Sequence, residues 1–169
     1  VSGTASAIAA LASASGIDLP TGGYTITVTG TLAPSDVAEL DAMNGAGTLD
    51  YTGATLTGTA AVLAANADGY VTGGTDVLVT GAINMADAAT IQGLIVAGTQ
   101  TVTAFSDTAA NIATVTADGA GVVAANATAT ITITDFLNFG TISVADAILL
   151  DADTTGVVTA IITEGGLGT

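Results

Sequence analysis

Residues 75–91 read TDVLVTGAINMADAATI, and both halves of the fold are legible in them. From Thr75 to Thr80 aliphatic and polar residues alternate with period two, which predicts a strand with one buried face. Asn84 then stands where a helix N-cap belongs. Asp87 follows three residues later, where its carboxylate suits the positive end of a helix dipole. Asp87-Ala88-Ala89-Thr90-Ile91 continues as a short helix.

The same succession recurs twice. Tyr24–Thr29 (YTITVT) and Thr128–Thr134 (TATITIT) repeat the strand, and Asp36–Leu40 and Asp146–Leu150 repeat the helix. Ser143 takes the cap position in the last copy; in the first that position is Ala33, with Pro34 following at a plausible N1. Upstream, Val1–Ala5, Leu56–Ala60 and Phe105–Ala109 align, with Thr4, Thr59 and Thr108 in register. Each opens an Ala-rich run that predicts a helix and carries one aliphatic residue in register, Ile8, Leu63 or Ile112. Two of these runs close on Asp68-Gly69 and Asp118-Gly119, where the glycines are expected to end the helix at positive φ. A second strand ends each unit, at Thr48–Tyr51, Gln100–Ala104 and Val157–Ile162.

The predicted unit is therefore short helix, strand, short helix, strand, over about 50 residues. Three units follow one another, about 1–54, 55–104 and 105–163, and Leu167-Gly168-Thr169 reads as the opening of a fourth. Each holds too few large apolar side chains to fold alone, so neighbours must stack. The two strands of a unit are separated by enough chain for a helical crossover, which favours parallel pairing. The expected fold class is an α/β repeat, a solenoid-like stack of strand and short-helix units with parallel sheet. An all-β solenoid is the alternative, because Thr and Gly interrupt every Ala-rich run.

Charge narrows the function classes. The chain has 169 residues, 15 of them acidic and none Lys, Arg, His or Cys, for a formal charge of −15. Phosphate recognition needs cationic side chains, so nucleic acid is excluded as a partner, and anionic membrane surfaces repel the chain. No segment predicts a membrane span: residues 88–106 are uncharged but broken by Thr, Gln and Gly. No basic leader precedes an apolar run, and the chain opens on Val1, which reads as a mature product or a piece of something longer.

The missing residue types also remove nucleophile–histidine pairs, zinc sites, Schiff-base lysines and phosphate-binding loops. Paired carboxylates remain, with Asp36, Glu39, Asp41, Asp50, Asp151, Asp153 and Glu164 as candidates, but no Trp offers a sugar platform. The chain is expected not to be an enzyme, and no cofactor is predicted. Calcium is the candidate cation, since it takes oxygen ligands alone. Asp36 and Glu39 lie one helical turn apart, Asp135 follows a strand, and Asp151 and Asp153 are neighbours. No loop carries a recognised calcium spacing, and helix capping or plain solvation accounts for the same carboxylates. Asn126-Ala127-Thr128 matches a glycosylation acceptor, a short and weak pattern. Finally, Thr25/Thr27/Thr29, Thr101/Thr103 and Thr128/Thr130/Thr132/Thr134 place hydroxyls on one face of a strand. Such rows suit an ice- or glycan-binding surface, and equally a strand facing water.

The residues Thr59–Leu63, Thr108–Ile112, Thr130–Thr134, Asp87–Ile91 and Ala145–Leu149 resemble the Ala/Thr/Asp-rich repeats of very large bacterial, especially cyanobacterial, surface proteins of haemolysin-like, adhesin-like or S-layer-like type. The resemblance covers nearly the whole chain. It implies export and an extracellular structural role in a filament, surface layer or adhesin, with the chain itself or further repeats as partner. The calcium-binding Gly/Asp nonapeptide common in such proteins does not occur here.

Overall fold

A computed structural model describes residues 1–13, 23–116, 122–134 and 142–163. The chain opens with strand β1 (Ser2–Gly3) and helix α1 (Ala5–Ser13), then a bent strand pair, β2 (Ile26–Val28) and β3 (Gly30–Leu32), and helix α2 (Pro34–Asn44). The chain continues with β4 (Leu49–Asp50), β5 (Ala54–Thr59), α3 (Ala60–Ala65), β6 (Asp76–Thr80), β7 (Ala82–Ile83) and α4 (Met85–Leu94). Then come β8 (Gln100–Thr101), β9 (Ala104–Asp107), α5 (Ala109–Thr116), α6 (Val122–Ala125), β10 (Thr130–Ile133), β11 (Ile142–Ser143) and α7 (Val144–Asp153). The described chain closes with β12 (Val158–Thr159) and β13 (Ile162–Thr163). The class is mixed α/β, and seven helices among the described residues overturn the all-β alternative. The Ala-rich runs hold their helices despite Thr and Gly because each buries an aliphatic residue against the sheets: Ile8, Leu63 and Ile112 are almost fully buried.

All strand pairings in the described residues are parallel. The sheets run β1-β2-β4, β3-β5-β6-β8, β7-β9-β10-β12 and β11-β13. Each bent strand thus leaves one sheet and enters the next. The bend needs a backbone that L-residues rarely adopt, and glycine supplies it: Gly30 has φ 83° and Gly81 φ 80°. Within a sheet the strands follow chain order, and the connecting helices pack with one another and with the buried strand residues around a single core.

Burial bears this out. Ile26, Val28, Leu56, Val77, Val79, Phe105, Ile131 and Ile133 point under the helices and are buried, meeting Val37, Leu40, Ala88, Ile91 and Leu150. Their neighbours along the strands, Thr27, Thr55, Thr57 and Thr132, are only half-buried, and Asp76, Thr80 and Thr130 are exposed. Three turns are fixed by close backbone approach. A Cβ on Gly47, Gly98 or Gly156 would land on the carbonyl oxygen of Tyr24, Thr75 or Ala129 respectively, so only glycine fits.

Some local expectations need correction. Strands β5 and β9 occupy sequence that reads as the lead-in to a helix. Helix α3 ends earlier than Asp68-Gly69: Asn66 caps it in the left-handed region at φ 42°. Gly69 does have positive φ, but in the turn that follows. Asp118-Gly119, Asp135, Glu164 and Leu167-Gly168-Thr169 lie outside the described residues.

Candidate functional site

With no basic side chain available, each carboxylate has to be answered by N–H and O–H groups or by water. Asp36 accepts the Ala33 N–H at 2.8 Å, closing the first turn of α2 from within. Asn84 caps α4 as expected, accepting the Asp87 N–H at 2.7 Å while its amide donates to the Asp87 carboxylate at 2.9 Å. Asp50 accepts from the Thr52 hydroxyl at 2.8 Å and the Thr52 N–H at 3.1 Å. Asp76 reaches across to the next strand of its sheet, accepting from the Thr99 hydroxyl and from its N–H at 2.8 Å. In both, the threonine hydroxyl first and its N–H second hold the carboxyl below the usual range.

Asp107 is the residue that sequence reasoning passed over. It is only 9% exposed, at the end of β9. One oxygen accepts the Met85 N–H at 2.8 Å, at the first turn of α4. The other accepts the Thr108 N–H at 2.7 Å and the Asn111 amide at 2.8 Å, at the start of α5. Two helix N-termini thus converge on one buried carboxylate, which is the electrostatic environment an anion favours. The only signal in the sequence is that Asp107 replaces Gly58 in an otherwise matching segment.

The calcium candidates are scattered. Asp36 and Glu39 line one shallow groove of 110 Å³ with Ala5, Ser6, Ala9 and Leu40, between α1 and α2. Asp151 lines a different groove, beside α7. Asp153 is half-buried at the end of α7, and Asp135 lies outside the described residues. Among the described residues no three acidic groups come together as a metal site would require. Asn126 is no open acceptor for sugar: its side chain is buried, with its oxygen taking the Val102 N–H and its amide donating to the Val122 carbonyl.

The hydroxyls expected along single strands also align across them. Parallel register places Ser2, Thr27 and Asp50 in one row, and Thr31, Thr55 and Asp76 in another. Thr57, Leu78 and Thr101 form a third, and Ser106, Thr132 and Thr159 a fourth. Parallel sheets ordinarily have both faces covered; here hydroxyl and carboxylate groups line the face opposite the helices. No helix among the described residues is long and apolar enough to cross a membrane. No family model, curated protein or solved structure matches the chain.

Proposed function

We propose that the chain is a structural segment of an extracellular bacterial filament, surface layer or adhesin, built as a stack of repeated units and acting by self-assembly. It carries out no catalysis and takes no nucleic acid partner, for the reasons of residue chemistry given above. The observation that carries this reading is the hand-over of strands. The second sheet begins with β3, delivered by the preceding segment, and continues with β5, β6 and β8. The third begins with β7 and continues with β9, β10 and β12 in the same order. Strand β13 takes beside β11 the place that β5 takes beside β3 and β9 beside β7. Each sheet is then one unit of the sequence repeat, latched to the unit before it by a borrowed strand. In such an architecture stability is a sum over units and junctions.

Excision of one unit tests the reading. Register equates Thr55, opposite Thr31, with Ala104, opposite Ala82. A chain lacking residues 55–103, with Ala54 joined to Ala104, should fold with β9 against β3. It should give a mixed α/β circular dichroism spectrum and a cooperative melt below that of the full chain. A chain left unfolded by this excision would refute the stacked-unit reading.

A second reading has one observation in its favour, the cross-strand hydroxyl rows spaced at about 4.8 Å. They suit ice or glycan recognition. Leu78, Asp50 and Asp76 interrupt them, which places this reading second; thermal hysteresis or glycan binding by the folded chain would promote it.

A further inference from the structure

The end of α2 holds a pair of residues found nowhere else in the chain. Of the six asparagines, only Asn44 is followed by glycine. An Asn-Gly pair can modify itself, because glycine has no Cβ to hold its backbone nitrogen off the neighbouring side-chain amide. The Gly45 nitrogen gives its proton to solvent and attacks Cγ of Asn44. A C–N bond forms, the Cγ–Nδ2 bond breaks, and Nδ2 leaves as ammonia after taking a proton from water. Water then opens the succinimide ring at either carbonyl, which leaves an aspartyl or an isoaspartyl residue. Solvent is the one co-reactant.

The fold keeps both reacting groups from this course. Asn44 is the last residue of α2 and is 2% exposed, so the water the reaction needs is largely excluded. Its Oδ1 accepts the Tyr24 N–H at 3.4 Å, which ties the end of α2 to the chain entering β2. The Gly45 N–H donates to the Asp41 carbonyl at 3.2 Å, so the nitrogen that must attack is engaged in closing the helix. The second sheet lacks the reactive group altogether: three residues before Gly98, as Asn44 stands before Gly47, is the buried Ile95.

The site is also too tight for the products. Gly47 lies so close that a Cβ on it would strike both the Asn44 Oδ1 and the Tyr24 carbonyl. An isoaspartyl link adds a methylene to the main chain at this point. An aspartyl link puts a charge in a buried place, in a chain with no basic side chain to answer it.

We propose that Asn44-Gly45 is a self-modification site sealed by the docked end of α2. It stays intact while that end is folded. Once the end opens, the pair converts, and α2 no longer docks with its former stability. Local opening is thereby recorded as a covalent change. The proposal does not rest on the stacked-unit reading, since it concerns one helix end and one strand entry.

The test is to age the full chain at mildly alkaline pH, in buffer and in concentrated urea. Cleavage at acidic residues and mass spectrometry then follow the peptide that carries Asn44. Exchange of amide for carboxyl changes the mass, whereas isomerisation at Asp68-Gly69 or Asp118-Gly119 does not. In urea Asn44 should convert ahead of the other five asparagines, and Gly45→Ala should slow it there, where the fold has no say. In buffer conversion should be more than about tenfold slower, because only the opened fraction reacts. Aged molecules returned to buffer should unfold at a lower denaturant midpoint than intact ones. Asn44→Asp, made directly, should show the same fall even if aged chains refold poorly. Equal rates in buffer and urea, no preference for Asn44 in urea, or an unchanged midpoint for Asn44→Asp and for the aged chain would each overturn the proposal.

Discussion

The junction that joins the first two sheets and the junction that joins the next two solve one problem with different chemistry. In one, α2 meets β5 and the α3 side chain Val62; in the other, α4 meets β9 and α5. At the first junction α2 begins with Pro34, which has no N–H to satisfy, and the strand residue in register is Gly58, over which the Leu63 side chain lies. At the second junction α4 begins with Met85, whose N–H is buried, and the strand residue in register is Asp107, which accepts it. A buried donor must find an acceptor, so a backbone difference on one element is matched by a side-chain difference on another. The two junctions therefore share a geometry, while proline-with-glycine and donor-with-carboxylate are two self-consistent ways of filling it.

The comparison is broken most severely by Asp107→Ala. It strands the Met85 N–H and leaves the Thr108 N–H and the Asn111 amide without their acceptor, at a cost of about 3 kcal/mol. Chemical denaturation of the single variant measures that loss. It should be smaller in a Met85→Pro background, where one stranded donor no longer exists, and the cycle isolates the coupling from the lost packing of Met85. Equal losses in both backgrounds would mean that Asp107 serves α5 alone.

A milder change acts on the first junction. There the Tyr51 and Tyr70 rings stand edge to face, with centroids 6.4 Å apart, and the Tyr51 hydroxyl donates to the Tyr70 carbonyl at 3.0 Å. At the second junction Val102 holds the place of Tyr51 and is tied by its N–H to Asn126. Tyr51→Phe keeps the ring contact and removes one neutral hydrogen bond, so it should cost about 1 kcal/mol, read as a small fall in the denaturation midpoint. A loss as large as that of Asp107→Ala would show that the aromatic junction leans on polarity as heavily as the other.

These junctions also mark where the sequence was legible. The period-two runs gave the cores of β2, β6 and β10, and the register of Ile8, Leu63 and Ile112 gave the buried side of the first helices. Asn84 was readable as a cap because capping is local. Strands β5 and β9 were not, since their alternation is short and runs straight into an Ala-rich helix through Thr59 and Thr108. Nor could the runs Tyr24–Thr29 and Thr75–Thr80 reveal that Gly30 and Gly81 turn the chain into a further short strand of the next sheet, because hydrogen-bond partners are not written in local alternation. The carboxylates were the least legible. Spacing brought Asp36 and Glu39 together as a ligand pair, but it cannot show that the Ala33 N–H already occupies Asp36. Asp107 became notable only once the chain had folded Met85 onto it.

The smallest effect lies on the open face, where the two sheets differ again. Asp76 in the second sheet is bound by Thr99; its register mate in the third sheet is Thr130, which has no charge to lose. The Thr99 hydroxyl and N–H depress the Asp76 carboxyl, so its folded value lies below the unfolded one. A depressed carboxyl contributes stability that is fully present above the unfolded value, near 3.9, and is lost as pH falls through the folded one. Asp76 is fully exposed, so the contribution is small and screened by salt. Asp76→Asn should therefore melt slightly below the wild type at pH 7 and in low salt, and the gap should close as pH falls through 4 to 3. The acid limb is the informative part. Protonation also relieves the mutual repulsion of 15 acidic groups, which raises the stability of both proteins together, so only their difference isolates Asp76. A gap that persists unchanged at pH 3 would mean that Thr99 is held by shape rather than by charge, and that the two sheets present equivalent faces after all.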